Sequence, residues 1–132
     1  MKEGPPGFEA NKHFLGLFLI ETSELAGVAD FVVAYPSEGQ GCLGLLLLAE
    51  RHQRKGLGEE AVALVEAWVL RDHGVHNVTL GVELVNERAR RFWRRCGYEP
   101  TGEIFTSSAL DREHPTEVLV KDLTAARPRV SS

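Results

Sequence analysis

The chain has 132 residues, 43% of them apolar and 26% charged, with a formal net charge of −4. This length fits one domain with a real core, and the composition excludes a disordered chain. The acidic balance excludes general nucleic-acid binding, and no apolar run approaches the roughly 20 residues that span a bilayer.

Residues 1–12 read as coil, polar and Pro/Gly-rich, without a secretory pattern. The apolar run His13–Glu21 predicts a strand and Ala26–Tyr35 a second one. Thr22-Ser23-Glu24 between them suits the turn of an antiparallel hairpin. Pro36–Gly41 reads as a turn. Cys42–Ala49 is apolar on both alternations, which predicts a central strand buried on both faces.

Leu57, Ala61, Val62, Leu64, Val65, Trp68 and Val69 then recur at helical spacing and predict one apolar stripe, with His73-Gly74 as a left-handed cap. Val75–Val85 reads as a strand. Asn86 is placed to cap a second helix, with Glu87 suiting its start and Arg94 and Arg95 its end. Ala89, Phe92, Trp93 and Cys96 are its expected buried face, and Gly97 ends it. Tyr98–Phe105 is expected as strand, 106–115 as loop, Thr116–Leu123 as the last strand, and 124–132 as a flexible tail. The domain is thus expected over 13–123. The order β-β-β-α-β-α-β-β predicts an α/β protein, a mixed α+β sheet with helices packed on its faces.

The segment from Leu45 to Gly58 carries the chemistry. A buried strand gives way to a basic, glycine-punctuated loop, and a helix follows. The first turn of that helix presents unpaired backbone N–H groups and the positive end of the helix dipole. Gly56 and Gly58 remove side chains that would hold a ligand off the backbone. Arg51, Arg54 and Lys55 add positive charge, and the whole is a phosphate cradle. It is not a P-loop, since the lysine precedes the glycine and no Ser or Thr follows, and only one G-x-G is present. Residues 51–55 and 88–95 hold eight of the 15 Lys and Arg residues. The ordinary fate of such clusters is a solvated surface; a small anionic ligand is the alternative.

The spacing Gln53-x-x-Gly56-x-Gly58 resembles the Q/R-x-x-G-x-G signature of the general N-acetyltransferase (GNAT) superfamily. Asn86-Glu87-Arg88-Ala89 resembles the family's N-x-x-A segment, and Phe92-Trp93 with Gly97-Tyr98 resembles the ending of the same helix. The resemblance covers roughly 13–123 and implies a GNAT-like acyl-CoA N-acyltransferase fold lacking the usual first strand and two helices. It implies acetyl-CoA as acyl donor, bound through the 53–59 segment, that is Gln53, Arg54, Lys55, Gly56, Leu57, Gly58 and Glu59, together with Asn86 and Trp93. The pantetheine arm would lie along the backbone of Leu46, Leu47 and Leu48, with the Leu48 N–H polarising the acetyl carbonyl. The implied activity is direct transfer of acetyl to a primary amine of an unidentified acceptor, with no metal. The alternative is a non-catalytic CoA-binding or regulatory domain.

Three departures from the family pattern bear on this. Trp93 stands where many relatives have a Tyr that protonates the leaving thiolate, and an indole N–H is a poor acid. Gly81 stands where some relatives have a Glu base. Glu83, two residues on and therefore on the same strand face, is the first candidate base and Glu50 the second. The helices that normally wall the acceptor pocket have no counterpart before His13. That is consistent with a shortened protein, a wall lent by a partner subunit in a homodimer, or lost activity. Apolar surface exposed in this way favours self-association.

Elsewhere the signals are bland. Cys42 and Cys96 read as small core residues, and their number makes neither a disulfide framework nor a metal spacing, so a reduced, cytoplasmic setting is expected. Asp72-His73-x-x-His76 straddles a helix end and reads as solvent-facing residues and a cap rather than a metal site. Ser107, Ser108, Asp111 and His114 crowd one expected loop, a candidate lid on the acceptor side.

Overall fold

The computed structural model describes residues 11–49, 53, 56–109 and 112–124. Six strands and two helices follow in the order β1 (Lys12–Phe18), β2 (Leu25–Val33), β3 (Gln40–Leu48), α1 (Leu57–His73), β4 (Asn77–Glu83), α2 (Glu87–Arg95), β5 (Glu99–Ala109) and β6 (Arg112–Asp122). The strands form one sheet in the order β1-β2-β3-β4-β6-β5. All neighbours are antiparallel except β3 and β4, whose connection runs through α1. A mixed sheet with an α-helical crossover is the arrangement that parallel neighbours require. The expected coil and tail fall largely on residues outside those described.

One core holds this together. Val62, Val65 and Val69 of α1 pack with Ala29, Phe31, Leu43, Val78, Leu80, Val82, Tyr98 and Leu119. Ala89, Phe92, Trp93 and Cys96 of α2 pack against the same cluster, so both helices lie on one face of the sheet. The helix ends follow the sequence signals. Gly74 caps α1 in the left-handed conformation, Asn86 Oδ1 accepts the Ala89 N–H at 3.1 Å, and Gly97 leaves α2 with φ +100°. A buried polar clamp fixes the two helices to β6. Lys121 Nζ donates to Glu66 Oε1 at 2.9 Å and to the Cys96 carbonyl at 2.7 Å, and the Tyr98 hydroxyl donates to Glu66 Oε2 at 2.9 Å.

The structure departs from the sequence expectations in four places. β3 is not buried on both faces: Leu47 is 56% exposed, because no helix among the described residues covers the second face of the sheet. That open face also carries Phe14, Phe18 and Phe105, each about half exposed or more. Leu64 falls off the inner stripe of α1 and is exposed. The α2 face expected to be buried is only half-buried, since it borders a cleft. Finally, 106–109 and 112–115 are strand rather than loop: β5 and β6 pair through them, with Ser107 opposite His114. Thr106, Ser107 and Ser108 are polar, but cross-strand pairing with β6 satisfies their backbone and overrides the turn-like composition.

At the far edge of the sheet, His13 of β1 meets Trp68 and His73 of α1, with ring centroids 5.3 Å and 4.9 Å away. Burial and the neighbouring His73 hold the His13 pKa below its ordinary value of 6.5. The unfolded chain therefore takes up this proton more readily than the folded one. Stability is retained above that value and falls as pH drops through it toward the lowered folded pKa. The melting temperature should decline between pH 7.5 and 5, and His13→Gln should flatten that decline in a calorimetric pH series. A second expectation concerns the clamp. Lys121→Met strands the part-buried Glu66 carboxylate and should cost about 2 kcal/mol in chemical denaturation, between an exposed and a fully buried pair.

Candidate active site

The site begins where the sheet splits. β3 and β4 pair only over Gln40–Asn77, Gly41–Val78 and Cys42–Thr79. Beyond that point β3 stays on its ladder with β2 and β4 on its ladder with β6, so each presents one free edge to the gap. The Ala49 N–H donates to the Ala26 carbonyl at 2.8 Å, toward β2. Successive N–H groups of an extended chain point to opposite edges, so the Leu48 N–H points into the gap. The Leu48 carbonyl lies on the same edge, where Gln53 Nε2 donates to it at 3.1 Å. Gln53 thus ties the end of β3 to the segment that leads into α1.

A cleft of about 780 Å³ opens from this gap. Leu46, Leu47, Leu48, Gln53, Gly56, Gly58 and Glu59 border it on one side. Asn86, Ala89, Phe92 and Trp93 border it on the other, joined by Arg88, Arg91 and Arg95. The fold therefore brings most of the sequence-predicted donor residues to one place. Leu57 does not border the cleft, and Arg54, Lys55, Arg51 and Glu50 lie outside the described residues. The three arginines are residues that sequence reasoning missed. Their spacing of i, i+3 and i+7 puts them on one helix face, a signal obscured by five arginines in one short helix.

The two glycines at the cleft have different roles. Gly56 takes the N-cap position of α1 with φ +77°, and a Cβ built on it meets nothing within 4 Å. Glycine is needed there for the left-handed backbone, and the space above it is open. No side chain caps α1, so its first-turn N–H groups have no side-chain acceptor among the described residues. Gly58 borders the cleft and also serves the packing: a Cβ there would lie 3.0 Å from the Phe92 ring, so this glycine lets α2 approach α1.

On the opposite wall, Asn86 commits Oδ1 to capping α2, and its side-chain N–H is the donor left for the cleft. Arg90 holds the turn before it, donating from Nε to Glu117 Oε2 at 3.1 Å and from Nη1 to the Leu84 carbonyl at 3.3 Å. Trp93 packs edge-on against Phe92 and Tyr98 at 4.9 Å and 5.4 Å. Tyr98 does not replace the missing acid. Burial and the Glu66 carboxylate push its pKa far above the ordinary phenol range, and its hydroxyl faces Glu66 rather than the cleft. The Cys96 thiol is pushed up to about 11 by burial and by Glu59 and Glu66, which keeps it protonated and inert. Burial likewise raises the Cys42 thiol.

Glu83 lies at the end of β4, on the open face of the sheet and outside the cleft lining. Its Oε2 is 3.5 Å from His114 Nδ1 on the neighbouring β6. A Cβ at Gly81 would lie 2.9 Å from Thr116 Cγ2, so a larger side chain there would have to displace Thr116. Among the described residues no three His, Cys, Asp or Glu side chains converge to hold a metal, and no helix is long and apolar enough to cross a membrane.

A strand pair that splits at a cleft, a left-handed glycine opening the next helix, and an asparagine on the facing wall are features of a known class. The model of the acetyltransferase (GNAT) family matches residues 3–98, and the chain belongs to that family. It is similar to a chimera of the spermidine N-acetyltransferase from Vibrio cholerae, at 13% identity and a TM-score of 0.77, covering 88% of this chain and 69% of that one. It is also similar to the smu.2055 protein of Streptococcus mutans UA159, at 25% identity, a TM-score of 0.69, and coverage of 88% and 73%. An acetyltransferase from Thermus thermophilus is 26% identical, with a TM-score of 0.65 and coverage of 86% and 65%. No curated protein matches the chain.

The packing of Gly58 on Phe92 is directly testable. Gly58→Val should destabilise the fold by roughly 1–3 kcal/mol, the usual scale of overpacking. Adding Phe92→Leu should recover part of that loss in urea denaturation, which it would not do if Gly58 served only a ligand.

Proposed function

We propose that this protein is an acetyl-CoA dependent N-acetyltransferase that moves an acetyl group directly to a primary amine. The observation that carries this is the split between β3 and β4, with the Leu48 N–H directed into it and a long cleft leading to the start of α1. The cleft fits a coenzyme A. It pairs an uncapped helix start with an open, left-handed glycine for the pyrophosphate, and it offers an unpaired strand edge for the amide-bearing pantetheine arm. Bound, the donor would supply a thioester whose acyl carbon an amine can attack.

The chain's own residues would do the rest. Leu46, Leu47 and Leu48 provide the backbone edge, and the Leu48 N–H holds the acyl oxygen. Gly56 leaves room at the helix start, with Arg54 and Lys55 adding charge beside it. Asn86 and Trp93 close the opposite wall. Fixing both reactants in one gap supplies much of the rate by proximity. An alkyl amine is mostly protonated at neutral pH and must lose a proton first. Glu83, reached from the open face of the sheet and paired with His114, is the base we assign; Glu50 is the second candidate. Cytoplasmic location and self-association through the open face belong to the same proposal. One neighbour, the spermidine N-acetyltransferase from Vibrio cholerae, is dodecameric.

A non-catalytic CoA-binding domain is the second reading, favoured by Trp93, which gives the cleft no acid to protonate a leaving thiolate. Thiol release from acetyl-CoA with a panel of amines, spermidine among them, separates the two. Glu83→Gln should lower kcat/KM by about 10²-fold, the usual loss of a general base, and should remove the acidic limb of the pH–rate profile. Coenzyme A affinity should stay constant in that variant. Wild-type rate and profile in Glu83→Gln would place the base elsewhere.

A further inference from the structure

The start of α1 holds a contradiction. The open N-terminus of α1 attracts an anion through its helix dipole, yet Glu59 and Glu60 sit in that same first turn. Acids there favour the helix through its dipole, but an uncompensated carboxylate in the cleft opposes a phosphate. Glu59 borders the cleft, and its Oε2 accepts from Arg95 Nε at 2.9 Å. Arg95 lies in the last turn of α2, on the facing wall, with its guanidinium carbon 5.8 Å from the centre of the Phe92 ring. The pair therefore bridges the two helices that form the cleft. The other arginines are differently engaged. Arg91 pairs with Glu87 on its own helix at 3.4 Å, and Arg88 makes no ion pair among the described residues.

We propose that Arg95 is a positioning residue that draws the Glu59 carboxylate aside and cancels its charge, so that the start of α1 accepts the donor's phosphates. This rests on coenzyme A occupying the cleft. The ion pair is half exposed and contributes little to stability, so its effect falls on binding. It also divides the arginines by task. Arg88 remains available to an incoming anion, whereas Arg95 is spent on a carboxylate of the protein itself.

Calorimetric titration of coenzyme A into wild type, Arg95→Ala, Glu59→Gln and the double variant tests this. Arg95→Ala should weaken binding about tenfold, a change read directly in Kd. The loss should shrink at high salt, because an exposed charge is screened. Glu59→Gln should bind more tightly than wild type, and the double variant should match Glu59→Gln. Arg95→Lys should restore most of the affinity, which a loss of Arg95 packing on Phe92 alone would not predict. A double variant as weak as Arg95→Ala would overturn the proposal, since Arg95 would then grip the ligand itself. Wild-type affinity in Arg95→Ala would overturn it as well. Failure of the wild-type chain to bind coenzyme A would overturn the donor site and this role together.

Discussion

The short parallel pairing of β3 with β4 is the constraint on which the rest depends. A parallel neighbour needs a crossover, and α1 provides it, so the start of that helix stands beside the end of β3. Because the pairing stops after Cys42, two strands inside one sheet keep unsatisfied edges without being at its margin. Buried unpaired backbone groups are costly, and a sheet tolerates them only where water or a ligand reaches. The split is therefore where strand edges inside the sheet are left open to solvent or a ligand. The split is held open from both sides, by the β2 ladder along β3 and the β6 ladder along β4.

The second constraint is that both helices share one face. That places α2 across the cleft from the start of α1 and lets a short list of contacts set their spacing: Gly58 against Phe92, Lys121 against Glu66 and Cys96, and Arg95 against Glu59. Cleft width is thus a packing property of the helix pair. The other face of the sheet keeps Phe14 and Phe18 exposed at its β1 edge, beside a Lys12–Asp30 ion pair at 3.1 Å, and Phe105 exposed at its β5 edge. The cleft is walled by the two helices, whereas Glu83 lies on the open face.

Much of this was legible in the sequence because local signals and tertiary structure agreed. Gly74, Asn86 and Gly97 end or begin helices by backbone rules that need no partner. The family motifs led to the cleft because they encode backbone conformation, as at Gly56. Legibility failed where a residue's role depends on a distant one. The packing role of Gly58 is invisible until Phe92 is brought beside it. Leu47 looks like core until the covering layer is seen to be absent from the described residues. Thr106, Ser107 and Ser108 carry loop-like composition, but pairing along β6 makes them strand. The charges of α2 gave no hint of which arginines face the cleft, because Arg90 turns instead to Glu117.

The placement of the aromatic residues has a practical consequence. The chain has two tryptophans, and the fold puts them in unrelated surroundings. Trp68 is wedged between two imidazoles at the margin of the sheet, 5.3 Å from the His13 ring and 4.6 Å from the His73 ring, and protonation of His13 would quench its emission. Trp93 borders the cleft, where a ligand changes its exposure to solvent. Replacing either one by phenylalanine leaves a chain with a single tryptophan, which can be excited apart from the two tyrosines. Proton uptake at one end of the molecule and ligand entry at the other thus become separate optical signals from the same protein, without an added dye.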